Sequence, residues 1–173
     1  MRPYRLRIIA GLACALACAL ACAVPAQAAP AGTAAVSANV VKPLILTWIQ
    51  NLDLGSVVLG PGTWSGATVG ISRTGTFSCA NANLTCSGTT QVAQYNVSGS
   101  NNQVVHITAP NVSLVNQSDP TQTLTLVVDA PATLTLTNSG PPGSNFFLGG
   151  SITVTSATAG GTYSGTFNVT VDY

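Results

Sequence analysis

The sequence predicts an all-β protein, an antiparallel β-sandwich built as one domain behind a cleaved leader. Three observations carry that expectation. After residue 28, Ser and Thr number 37 and Asn twelve, a third of the 145 positions that remain. Ser and Asn compete with a helix for backbone hydrogen bonds, and Thr and Val lose side-chain freedom in one, whereas Thr and Val suit a pleated surface. Apolar and polar residues then alternate at period two through Thr123–Val128 and Thr133–Thr137, the pattern of half-buried strands. Turn chemistry divides the chain at short intervals, at Gly60-Pro61-Gly62, Ser87-Gly88, Ser98 to Asn102, Asp119-Pro120, Gly140-Pro141-Pro142-Gly143 and Gly160-Gly161, which is the punctuation of many short strands.

In chain order, the first element is Arg2, Arg5 and Arg7, an apolar run from Ile8 to about Val24, Pro25, and the small-residue sequence Ala26-Gln27-Ala28. That is the layout of a secretory signal peptide over residues 1–28, cut between Ala28 and Ala29. The basic end stays behind, the apolar run enters the export channel as a helix, and Pro25 breaks it so that a peptidase reads an extended Ala-x-Ala. A retained membrane anchor fits less well, because the mostly Ala run is short for a span and no stop-transfer charges follow. Cys14, Cys18 and Cys22 recur within the run. A lipid-modified Cys22 usually follows a large aliphatic residue three positions earlier, where Ala19 stands, so these cysteines are expected to be discarded. Export would place the protein in the periplasm, on the outer cell surface or outside the cell.

Loss of the leader leaves Lys42 and Arg73 against Asp53, Asp119, Asp129 and Asp172, a formal charge of −2, with no Glu in the chain. A basic nucleic-acid footprint is excluded. Disorder is disfavoured by a 46% hydrophobic composition at a whole-chain charge of +1. Cys79 and Cys86 remain, and an even pair in an exported chain reads as a disulfide. A redox CxxC is ruled out by their spacing, and zinc by His106 being the one His. No cofactor or metal is expected.

Strands are expected near 34–41, 43–49, 67–72, 75–79, 92–98, 103–109, 112–115, 122–129, 132–137, 151–156 and 162–173. The clearest is the last, where Tyr163, Gly165, Phe167, Val169, Val171 and Tyr173 face one way and Ser164, Thr166, Asn168, Thr170 and Asp172 the other. No interdomain linker interrupts residues 29–173. Ala29 to Thr33 is a small-residue arm and Gly140 to Gly143 is short enough for a surface loop.

Three stretches carry a family resemblance: Val36-Ser37-Ala38-Asn39-Val40-Val41-Lys42-Pro43-Leu44, then Asn51-Leu52-Asp53-Leu54-Gly55, then the closing Gly160 to Tyr173. Together they resemble the bacterial family catalogued as domain of unknown function 4402, exported β-rich proteins. The resemblance implies the exported compartment and the fold, and no activity. The closing strand is also similar to the last strand of chaperone–usher pilins and of spore coat protein U-like secreted subunits, which implies a sandwich of immunoglobulin-like or pilin-like type. Gly160 stands fourteen from the end, as in pilins, while Asp172 is penultimate where pilins place Tyr.

An enzyme is not expected. A Ser/His/Asp triad would have to form around His106, which falls on the solvent side of its strand if Val105 and Ile107 face the core, and no Gly-x-Ser-x-Gly accompanies it. The four Asp residues lack calcium-loop spacing, and Asp53 and Asp119 read as turn residues. Five Asn-x-Ser/Thr matches, at Asn83, Asn96, Asn111, Asn116 and Asn168, are chance matches in an Asn- and Thr-rich bacterial chain. Trp48, Trp64, Tyr95, Phe146 and Phe147 are the aromatics from which a ligand groove would be lined; Trp48 alternates with Leu44 and Leu46 and reads as core, whereas Trp64 and Phe146-Phe147 follow Pro/Gly turns and are candidate ligand contacts. The leading functional signal is a missing defence. Soluble β-proteins guard sheet edges with Lys, inward charges or Pro, yet two basic residues serve all these strands. A structural or adhesive envelope protein is therefore expected, in its specific form a fimbria-like subunit, pairing strands with like subunits or another envelope protein. The candidate pairing residues are Val36, Ala38 and Val40 of the arm and Phe167, Val169, Val171 and Tyr173 of the last strand. A monomeric binding module using Trp64, Phe146 and Phe147 is the alternative, and closure of the protein's own sheets would remove the edges altogether.

Overall fold

A computed structural model describes residues 31–173; the leader expected over 1–28 and the cut between Ala28 and Ala29 lie outside the described residues. The chain divides into two units, Met1–Asn39 and Val40–Tyr173. Residues 31–39 of the first are all exposed and have no regular structure. The strand expected over 34–41 is therefore absent. Val36, Ala38 and Val40 supply an alternating face, but a strand also needs a neighbour to take up its backbone hydrogen bonds.

Within the second unit the described residues form strands and no helix. In order these are β1 (Ile45–Gln50), β2 (Ser56–Leu59), β3 (Ala67–Ile71), β4 (Phe77–Ser78), β5 (Leu84–Ser87), β6 (Ala93–Ser98) and β7 (Val104–Thr108). There follow β8 (Val112–Asn116), β9 (Thr123–Asp129), β10 (Thr133–Thr135), β11 (Ser144–Val154), β12 (Tyr163–Ser164) and β13 (Thr170–Asp172). All pairings are antiparallel. An eight-stranded sheet runs β1-β6-β11-β9-β8-β12, with β3 also on β11 and β4 on β3; β10-β7-β13 and β2-β5 form two smaller sheets.

β11 organises this arrangement. Its first half pairs with β6, from Ser144↔Val97 to Leu148↔Ala93, and its second half with β9 and β3 through Gly149–Val154. Ser144, Phe146, Leu148, Gly150, Ile152 and Val154 are buried in one unbroken alternation. Gly149 is required where the strand meets the β3–β4 turn, since a Cβ there would collide with the backbone of Ile71, Ser72 and Arg73. The small sheets cover the two halves. Val105, Ile107 and Leu136 pack over Ala93, Val97, Phe146 and Leu148, while Leu84 with Val57, Leu59 and Cys86 packs over Val69, Leu126, Ile152 and Val154. Leu52, Val128 and Phe167 touch both clusters.

Three expectations need correction. β11 begins at Ser144, well before the expected 151–156, because Gly149-Gly150 reads as a break yet is a close-packing site. β2 and β5 were not anticipated; each is four residues long, β2 between Gly55 and Gly60 and β5 between an Asn81–Asn83 turn and Gly88. The expected continuous strand 162–173 is two short strands, β12 on β8 and β13 on β7, and the chain between them crosses from one sheet to the other with Phe167 in both cores.

Cys79 and Cys86 form the expected disulfide, Cα–Cα 6.3 Å, beside the β2–β5 pair. Closing so short a loop contributes about 2.5 kcal/mol by chain entropy. Reduction should lower the unfolding free energy by about that amount in urea titrations while leaving the far-ultraviolet β signal intact in the absence of denaturant.

Candidate functional site

The two ends of the eight-stranded sheet curl toward one cavity of about 1050 Å³. Trp48 and Gln50 of β1 line one side, and Tyr163 and Ser164 of β12 the other. Its floor is the inner face of the same sheet, with Ala93 and Tyr95 from β6, Leu124 and Leu126 from β9, and Ile152 and Val154 from β11. The cavity exists because the covering layer is split. β10-β7-β13 lies over one half, β2-β5 over the other, and among the described residues no strand hydrogen-bonds between them.

The chemistry is neutral. Among the described residues Asp53 is the one charged side chain on the wall, and its carboxylate accepts the Gly55 N–H at 2.8 Å, the Asx-type turn that the sequence suggests. Tyr95 stacks on Phe146 with ring centroids 5.6 Å apart, and burial pushes its hydroxyl above the ordinary tyrosine pKa.

Hydrogen bonds hold the rim. Asn116, fully buried, donates from Nδ2 to the Gly160 carbonyl at 3.0 Å, and its Oδ1 accepts from Ser118 N at 2.9 Å and Asp119 N at 3.3 Å. Gly161 adopts φ +144° against that side chain, where a Cβ would clash. This staple fixes the 158–163 segment that walls the cavity. The same loop explains Asp119, whose carboxyl is held below its ordinary pKa by the Thr121 hydroxyl and then the Thr121 N–H. At the far end the Tyr173 hydroxyl donates to the Lys42 carbonyl at 2.5 Å and accepts from Ser100 N at 2.8 Å, while Lys42 N donates to Ser100 Oγ. β13 is thereby tied to the residue preceding Pro43, near the start of β1.

His106 takes its expected solvent-side place, while several aromatics singled out from sequence do not take theirs. Phe146 is 3% exposed, packed in the core, and Phe147, 41% exposed, faces the other side of β11 as alternation requires. Trp64 packs on the second cluster with Nε1 donating to the Gly60 carbonyl at 3.2 Å, so it caps a sheet end and lies off the cavity wall. Trp48, expected in the core, is 58% exposed on the wall. It shares its face with half-buried Leu44 and Leu46, but opposite Trp48 the covering layer is missing. Phe167 borders the cavity, whereas Val169 and Val171 belong to the first core cluster. His106 is exposed on β7 between buried Val105 and Ile107. The cavity itself was legible only as the unguarded edges.

Residues 45–173 match the family described as a domain of unknown function (DUF4402). The chain belongs to this family. No curated protein and no solved structure matches it, so the DUF4402 match gives membership and leaves the role to be argued from the cavity.

The rim of this DUF4402 fold makes two variants informative. Asn116→Ala strands the Gly160 carbonyl and two N–H groups and should cost about 2 kcal/mol. Tyr173→Phe, at an exposed clamp, should cost about 1 kcal/mol. Denaturant midpoints of the purified variants check both, and Asn116→Ala must be the more damaging.

Proposed function

We propose that this chain is an exported structural or adhesive protein of the bacterial cell envelope that joins like subunits, or another envelope protein, by β-strand pairing. A fimbria-like subunit is the specific form of that reading. The observation that carries it is the unclosed sheet, whose terminal strands β1 and β12 line one cavity with no strand between them among the described residues. Unpaired strand edges recruit strands, and proteins that must stay apart guard them. Here β1 and β12 hold no charged residue, and β13 holds Asp172 alone.

The alternative, a monomeric binding module, is supported by the cavity's size, at the top of the roughly 300–1,000 Å³ range of ligand sites. Its contacts would be Trp48 and Tyr95, in place of Trp64, Phe146 and Phe147.

Sedimentation velocity of the exported chain over a wide concentration range separates the readings. Strand pairing predicts concentration-dependent association accompanied by slower amide exchange in β1 and the Tyr163–Phe167 segment. A chain that stays monomeric, and whose Trp48 emission shifts with a small ligand and not after Trp48→Ala, would establish the binding module instead.

A further inference from the structure

We propose that a notch over Gly70, on the outer face of the eight-stranded sheet, binds a unit of a neutral saccharide. The proposal goes beyond strand pairing. The notch shares no lining residue with the cavity between β1 and β12, so it stands or falls whether or not the chain associates.

Strand register builds the notch. Ser78, Gly70, Ser151 and Val127 are matched in one row across β4, β3, β11 and β9. The flanking Val69, Ile71, Leu126 and Ile152 are buried in the core, so by alternation this row faces outward, away from the two small covering sheets. Gly70 opens a gap in the row. A Cβ there would press on Ser151 and on the Gly150 carbonyl, so the floor between the two serines lies at backbone level. The β3–β4 turn, seated against Gly149 and tied by Arg73 to Asp129, supplies Ser72 and Thr76 to the wall. The resulting depression is about 390 Å³, within the roughly 300–1,000 Å³ of small-ligand sites.

The lining chooses the ligand class. Thr68 shares a hydrogen bond with Thr153 at 3.3 Å, and Ser72 with Thr74 at 2.8 Å and with the Thr76 N–H at 3.1 Å. The hydroxyls of Thr76, Ser78 and Ser151 have no protein partner among the described residues, so they are free to donate and accept. Asp129 accepts the Arg73 N–H and guanidinium, one on each oxygen, and a carboxylate has about four lone-pair sites, so acceptor capacity remains. Arg73 also cancels its charge, which leaves nothing in the notch to hold a phosphate, a sulfate or an ammonium group. Val127, 51% exposed, is the apolar surface beside these groups. A purely apolar ligand would strip water from the hydroxyls and return no hydrogen bond. A sugar ring offers hydroxyls to Ser78, Ser151 and Asp129 and a C–H face to Val127. Because neither small sheet covers this face, a saccharide chain reaches it as readily as a free sugar, and such a chain would be a target for the adhesive role.

Titration of the isotope-labelled exported chain with glucose, galactose, mannose and N-acetylglucosamine, followed by amide resonances, tests this. At least one sugar should shift Gly70, Ser151 and Val127 saturably, with a dissociation constant of about 1 mM or tighter, and leave Trp48 and Ala93 unmoved. Linear oligosaccharides of the sugar that binds distinguish the sources: tighter binding than the monosaccharide supports a chain as the ligand, and equal binding supports the free sugar. Ser78→Ala/Ser151→Ala, which removes two hydroxyls, should weaken binding about tenfold, and Val127→Lys, which lays a long cation across the notch, should abolish it. Both variants binding like the parent would overturn the proposal, as would shifts confined to Trp48, Tyr95 and Ala93, which place the sugar in the other cavity. No shift with any of these sugars at about 100 mM, a hundredfold above that constant, overturns it too. Should Val127→Lys lose its β circular dichroism, the serine pair decides, since both serines lie on the outer face and neither is in the core. Sedimentation of the same samples reports on strand pairing separately, so failure of one reading is not mistaken for failure of the other.

Discussion

The architecture depends on one strand serving two layers. β11 gives its first half to β6 and its second to β9 and β3, and it can do so because Gly149 lets the β3–β4 turn press against it. Sheet hydrogen bonding continues from β1 to β12 through this strand, so curvature along β11 brings the sheet's two ends round toward each other. Closing a barrel needs strand number, tilt and stagger to agree. Here the curl stops short, and the space left over is the cavity. Trp48 registers that shortfall, being an interior-face residue with no layer opposite it.

The distribution of charge follows the same economy. Arg73 is spent on Asp129, which accepts the Arg73 N–H at 2.8 Å and the guanidinium at 3.1 Å, and so holds the β3–β4 turn to the end of β9. Both side chains are partly in solvent, so the pair adds little energy; its effect is to fix where the turn lies against Gly149. Lys42 donates its ammonium to the Ser139 carbonyl. Neither cation of the described residues is therefore left on β1, β12 or β13, where a lysine would discourage strand addition.

Much of the fold was legible because period two is a local signal. Val105 and Ile107 inward with His106 outward, and the alternation through β9, needed nothing beyond the residues themselves. What failed was what depends on distant neighbours. Val36, Ala38 and Val40 alternate as well as any strand does, yet they are exposed and have no regular structure. Gly149-Gly150 reads as a break when only local conformation is considered, and as a packing requirement once the backbone of Ile71 is in place. Trp48 was assigned to the core by its phase with Leu44 and Leu46, which is right about the face and silent about what covers it. The cavity was legible only as a shortage of charge at strand edges.

The kind of occupant that satisfies this cavity can be argued from its two surfaces. A compact apolar ligand would contact Leu124, Leu126, Ile152 and Val154 on the floor but leave the backbone edges of β1 and β12 to water or to nothing. Leaving a buried N–H or C=O unpaired costs about as much as a hydrogen bond is worth. An extended peptide answers both surfaces at once, offering alternate side chains to the floor and main-chain groups to the flanks. Occupancy also couples to folding, since anything that binds the folded chain and not the unfolded one stabilises it by mass action. Any occupant of the cavity would therefore add stability just where the cover is split.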